Sequence, residues 1–220
     1  MEPKQLENRI ERVMKDFSLL AGDVCMMKAL DVRQHPERYE EMSTRAALSA
    51  EKIACKLRSL IYATTRIPKY EYLVQTGEAH EIEVSENDGI VQITLPCLLP
   101  KKRSRVSSQF LNDPLHAVLE QYAAHGTVPR FQKCTVCICY VYENDAISLP
   151  VPDYDNLQQK QVFDTVALHF MTDDNGRFCD VHHMTERGDW RRTKIFLMEQ
   201  ERFPAWLAER KKSRKSVSDF

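Results

Sequence analysis

From Leu6 the apolar positions run Leu6, Ile10, Val13, Phe17, Leu20, Val24 and Met27, in steps of four and three, with Glu7, Arg9, Glu11, Arg12, Lys15 and Asp16 filling the gaps. This heptad stripe predicts a helix with one narrow sticky face, suited to an antiparallel partner helix or a coiled coil. The partner is expected next in the chain. Pro36-Glu-Arg puts a proline at a first-turn position, and Ala46, Leu48, Ile53, Leu57, Leu60 and Ile61 carry a helical pattern up to Arg66-Ile-Pro68.

After Pro68 the period changes. Glu81-Ile-Glu-Val alternates, Asn87-Asp88-Gly89 is a hairpin turn signal, and Ile90 to Leu95 reads as a second strand ending at Pro96. Beyond it the pattern predicts a basic loop, a helix near 113–125, a strand over 134–142, a proline-bearing connection, a helix over 156–171, and strands near 177–184 and 192–198. The expected organisation is therefore a helical hairpin over 1–70, an α+β domain over 71–205 and a basic tail over 206–220.

Composition narrows the class. Thirty-one Lys and Arg against 32 Asp and Glu, with 43% hydrophobic residues, suit a folded protein rather than a disordered tail or a wholly basic nucleic-acid coat. The six glycines are all isolated, so neither a phosphate-binding loop nor a dinucleotide fingerprint can be assembled, and no nucleotide cofactor is expected. No apolar run approaches the roughly 20 residues needed to span a bilayer, and the N-terminus lacks the apolar core of a signal peptide. A cytoplasmic protein without a membrane partner is expected.

Seven dispersed cysteines do not form a disulfide framework. Cys134, Cys137 and Cys139 lie in a β-branched and aromatic run that reads as a buried strand, on which residues three apart point to opposite faces. By the same rule His182 and His183 face opposite ways, so at most one of them can join any given site.

The densest chemical signal is Asp153-Tyr-Asp155-Asn156-Leu, followed by Lys160, Asp164 and the pair Asp173-Asp174. If the first segment is extended, Asp153 and Asp155 face one side, while Asp155 or Asn156 is placed to cap the next helix. Convergent carboxylates repel unless a hard divalent cation neutralises them, and magnesium takes one or two carboxylates together with waters and substrate phosphate. Such a site can activate water for phosphodiester cleavage, with Lys160 stabilising the developing charge. The same residue types also serve as caps and turns, and Asp-Asp-Asn-Gly is by itself a good turn.

The run from Asp153 through Lys160 and Asp164 to Asp173-Asp174 resembles the signature of RusA-like Holliday junction resolvases. Val91 to Pro96 with the basic loop after it is similar to that family's opening strand and loop, and Cys134 to Tyr142 to the strand leading into the motif. The resemblance covers about residues 88–200. It implies a mixed sheet with helices on one side, and a homodimeric, Mg2+-dependent endonuclease (Mn2+ being a possible substitute) acting on branched DNA. By position, Asp153, Asp155 and Asp174 match the metal-binding carboxylates, Asp173 the first acid of the pair, and Lys160 the catalytic lysine. The lysine stands one residue further along than the family pattern, with Gln159 in its expected place, a rotation of about 100 degrees on a helix. The chain is also similar to a group of uncharacterised proteins from Firmicutes mobile elements, a likeness that implies no activity.

A nuclease must grip phosphates. Lys101, Lys102, Arg103 and Arg105 form the best candidate surface; Arg130, Lys133, Arg191, Arg192 and the run Arg210 to Lys215 add further charge. Tyr154 reads as a packing residue, and Trp190 and Trp206 as anchors of the C-terminal segment. A binding module that has lost catalysis, and an interaction protein working through its helical hairpin, remain open alternatives.

Overall fold

The computed structural model describes residues 2–100, 109–126, 129–143 and 153–218. The protein is α+β, with an N-terminal helical hairpin and a five-stranded mixed sheet. It divides into two compact units, residues 1–69 and 70–220.

In the first unit, α1 (Pro3–Ala29) and α2 (Pro36–Thr64) each begin with a proline in the first turn, where its missing N–H costs no hydrogen bond. Asp31 turns the chain between them by accepting the N–H of Arg33 on its side chain and those of Gln34 and His35 on its carbonyl. The heptad stripe is split. Val13 is buried and Leu6, Leu20 and Met27 are partly covered, whereas Ile10, Phe17 and Val24 are exposed. Met42, Ala46 and Ile53 are the buried residues of α2. Between the covered apolar positions of α1, Asp16 bonds Lys52 and Lys56, and Asp23 takes a two-pronged hydrogen bond from Arg45. These bonds pair early residues of one helix with late residues of the other, as an antiparallel hairpin requires.

The second unit opens with α3 (Lys69–Ala79), a helix absent from the sequence reading. It stops in a Schellman motif: the Ile82 N–H bonds the Gly77 carbonyl, the Glu81 N–H bonds that of Glu78, and Glu81 adopts φ 57°. The hairpin of β1 (Glu83–Asn87) and β2 (Ile90–Leu95) turns on Asp88 and Gly89, both at positive φ, the geometry of a type I′ turn. Then follow α4 (Gln109–His125), β3 (Cys134–Glu143), α5 (Lys160–Phe170), β4 (Cys179–Gly188), β5 (Arg192–Glu199) and α6 (Phe203–Ser218). The sheet order is β1-β2-β5-β3-β4, with β3 parallel to β4 and every other pair antiparallel.

Cys134 through Tyr142 of β3 are all buried, because both faces of this central strand are covered. On one face Leu111, Leu115 and Leu119 of α4 and Val162, Val166 and Phe170 of α5 join a core with Ile93, Ile138 and Ile195, which are aligned across three strands. On the other face Cys137, Cys139, Phe196 and Met198 pack with Phe203, Trp206 and Leu207 of α6. Cys134 and Cys137 thus point to opposite sides, as strand alternation requires. The segment expected as a basic tail is for the most part helix α6, and its Trp206 anchors it to the sheet. No helix among the described residues is long and apolar enough to cross a membrane.

Candidate functional site

β3 leads out of the core toward the Asp153 segment, and α5 carries the chain back to the parallel partner strand β4. The helix expected over 156–171 is shorter than the pattern indicated. Tyr154–Asn156 form one 3-10 turn, Leu157 is extended and buried, and α5 starts at Lys160. The reason is visible in the hydrogen bonds: the Gln158 N–H bonds the carbonyl of Pro100 at 2.7 Å. Asp155 therefore lies inside a turn rather than on an extended segment, and neither Asp155 nor Asn156 caps α5, whose N-cap is Gln159 with no side-chain cap bond.

Asp153, Asp155, Asp173 and Asp174 are all exposed. Asp173 accepts the N–H of Asn175 at 3.0 Å and Asn175 accepts that of Arg177 at 2.9 Å, so this stretch does act as a turn. Lys160 donates to Asp164 at 2.8 Å. That hydrogen bond, the Asp164 charge and the more distant Asp174 charge hold its ammonium above the ordinary lysine range. Gln159, Lys160, Leu157, Phe163, Ile138 and Val181 line an open concavity of about 290 Å³. The one-residue offset of the lysine thus leaves it on the same hollow as Gln159.

Among the described residues no three Asp, Glu, His or Cys side chains are gathered as metal ligands would be. Asp153, Asp155 and Asp174 accordingly do not form one coordination set. The exposed pair Asp153 and Asp155 is still of the hard-oxygen type magnesium takes, and one or two carboxylates suffice when waters and phosphate supply the remainder.

Below the motif lies a cluster that the sequence reading did not single out. Tyr154 stacks on Tyr140 at 5.4 Å and on His183 at 5.0 Å, and its hydroxyl pairs with that of Thr185 at 2.8 Å. Tyr154 is a packing residue, as expected. The Tyr140 and Tyr142 hydroxyls and His183 Nδ1 are buried without a well-formed hydrogen bond among the described residues. Burial raises both phenols; burial and then the His182 charge push the His183 imidazole down. Tyr140 and Tyr142 stand two apart on β3 and share its α5 face, a spacing that was available in the sequence. His182 faces the other way, stacked on Phe203 at 4.3 Å.

The basic candidates divide. Lys101, Lys102, Arg103 and Arg105 lie outside the described residues, as do the side chains of Arg214 and Lys215. Arg210 is committed to the fold: it makes a two-pronged hydrogen bond to Glu186 and lies over the rings of Phe196 and Trp206. Arg192 lies over Trp190 at 4.3 Å, and Arg191 is 4.0 Å from Glu143.

A family model matches residues 2–220. The chain belongs to DUF6100, a family of unknown function. No curated protein matches it. Among solved structures, the periplasmic domain of Helicobacter pylori MotB is similar to this DUF6100 chain with a TM-score of 0.35 and 9% identity, over 61% of this chain and 90% of that one.

Proposed function

We propose that the chain is a RusA-like, Mg2+-dependent endonuclease that works as a homodimer on branched DNA in the cytoplasm. The observation that supports it is the hydrogen bond from Gln158 to Pro100. Pro100 immediately precedes Lys101, so residues distant in sequence meet where the basic loop begins and the acidic motif ends. Phosphate-gripping cations and metal-binding carboxylates are the two groups that a phosphodiesterase needs side by side. Asp153 and Asp155 would hold the ion, which supplies charge neutralisation and an activated water at the scissile phosphate. Lys160, released from Asp164, is long enough to offer its ammonium to the phosphate from the rim of the hollow.

The test is cleavage of a synthetic four-way junction in magnesium. Wild type is expected to give symmetrical nicks, and Asp155→Asn a rate at least 100-fold lower with junction binding retained. An inactive wild type under magnesium and manganese would overturn the reading.

A second reading has its own observation. Lys160 is already bonded to Asp164, and Asp153, Asp155 and Asp174 are not gathered as one set. Both suit a protein of this type that holds junctions without cutting them. It predicts binding that is indifferent to magnesium and to Asp155→Asn.

A further inference from the structure

The hairpin carries a second heptad seam. The first, through Leu6, Val13, Leu20 and Met27, is the covered one. Displaced from it around α1 run Ile10, Met14, Phe17, Ala21 and Val24, again in steps of four and three. All five are exposed, Ile10 at 44%, Met14 at 63%, Phe17 at 49% and Val24 at 51%. A helix surface with apolar residues in this rhythm fits the knobs-into-holes packing of another long helix. Exposed apolar side chains are ordinary when scattered, but a continuous row of this length on one helix marks a contact surface.

Two observations identify the occupant. The first is length. α1 has 27 residues, about 40 Å of helix. Among the described residues the only other helix of that length is α2, with 29, and it already takes the first seam; α4 has 17 and α6 has 16. The second is charge. The same four-and-three rhythm continues to Glu7 at the N-terminal end of the row and to Lys28 at the C-terminal end, both exposed. Parallel pairing of two such rows sets Glu7 against Glu7 and Lys28 against Lys28. Antiparallel pairing about Phe17 sets Glu7 of each copy beside Lys28 of the other and Ile10 near Val24. A row that complements its own reverse is what a two-fold interface requires.

We infer that the chain dimerises through α1, which pairs antiparallel with α1 of a second copy so that the two hairpins form a four-helix bundle centred on Phe17. This surface is independent of the proposed nuclease site.

Sedimentation of the full chain at tens of micromolar is expected to show a dimer, and Phe17→Glu a monomer of unchanged helical circular dichroism. Cross-linking supplies a second readout in a background of Cys25→Ser and Cys55→Ser. Mixed Ile10→Cys and Val24→Cys chains should form a heterologous disulfide under mild oxidation, which neither forms alone. A monomeric wild type overturns the inference, as it would if the chain's own α+β unit covered the row. A dimer that survives Phe17→Glu overturns it as well, while leaving the nuclease reading standing. Ile10→Cys chains that cross-link to themselves would reverse the pairing direction and so refute the antiparallel bundle.

Discussion

Tyr140 shows how single residues can betray a site. Its side chain is fully buried and its hydroxyl has no well-formed hydrogen bond among the described residues, although the Gln159 side chain is near enough to act on it. An unsatisfied buried hydroxyl costs about 1–3 kcal/mol, and folds keep few of them. Tyr140→Phe removes the hydroxyl while preserving the ring that stacks on Tyr154, so it is expected to raise stability by about 1 kcal/mol in urea unfolding. A loss of stability would mean that the hydroxyl is bonded in solution. If junction binding weakens while stability rises, the hydroxyl is serving a ligand rather than the fold. The candidate acids stand out in the sequence because their residue types and spacing are unusual in a short stretch, but that spacing does not fix where Asp174 lies relative to Asp153 and Asp155 once the chain is folded. The phenols stand out less, because two aromatics on a strand read first as core, and only the absence of well-formed hydrogen bonds marks them out.

At the scale of elements, strands were easier to read than helix ends. β2 and β3 sit where alternation and β-branched content put them, since central strands have few competing patterns. α3 was missed because its end lacks the usual glycine stop: Glu81 occupies the left-handed position that glycine normally fills. A left-handed backbone costs a non-glycine residue roughly 1–2 kcal/mol. Glu81→Gly is therefore expected to stabilise the second unit by about 1 kcal/mol, with a rise in thermal midpoint of several degrees; an unchanged or lower midpoint would mean that the Glu81 side chain contributes more than its backbone loses. The start of α5 was misplaced for a different reason. Helical periodicity from 157 onward is real, but Gln158 gives its N–H to Pro100, and no local pattern reports a hydrogen bond to a residue some sixty positions earlier. The double seam of α1 belongs to the same lesson. The apolar row was visible, whereas its division into a covered and an exposed half depends on which of its residues meet α2, and no pattern within α1 alone reports that.

For the whole molecule, two units imply two cores. Among the described residues the hairpin buries only Val13, Met42, Ala46 and Ile53, while the sheet unit buries both faces of β3. Residues 70–220 alone are expected to unfold in one cooperative transition with the strand content of the full chain, and to keep at least part of any junction affinity. A molten product, without near-ultraviolet dichroism, would show that the sheet needs the hairpin. The sheet order has a consequence for how the chain is made. β2 pairs with β5, about a hundred residues further on, and β3 also waits for β5 on one side. While the ribosome is still translating those residues, α1 and α2 can already associate, since their contacts are close in sequence and such contacts form fast. The apolar strands β2 and β3 must meanwhile remain unpaired along an open edge until the last quarter of the chain emerges. During synthesis this protein is thus exposed to misassembly with neighbouring nascent chains, and the polar turn and acidic motif between its strands are the solvating stretches available to it during that wait.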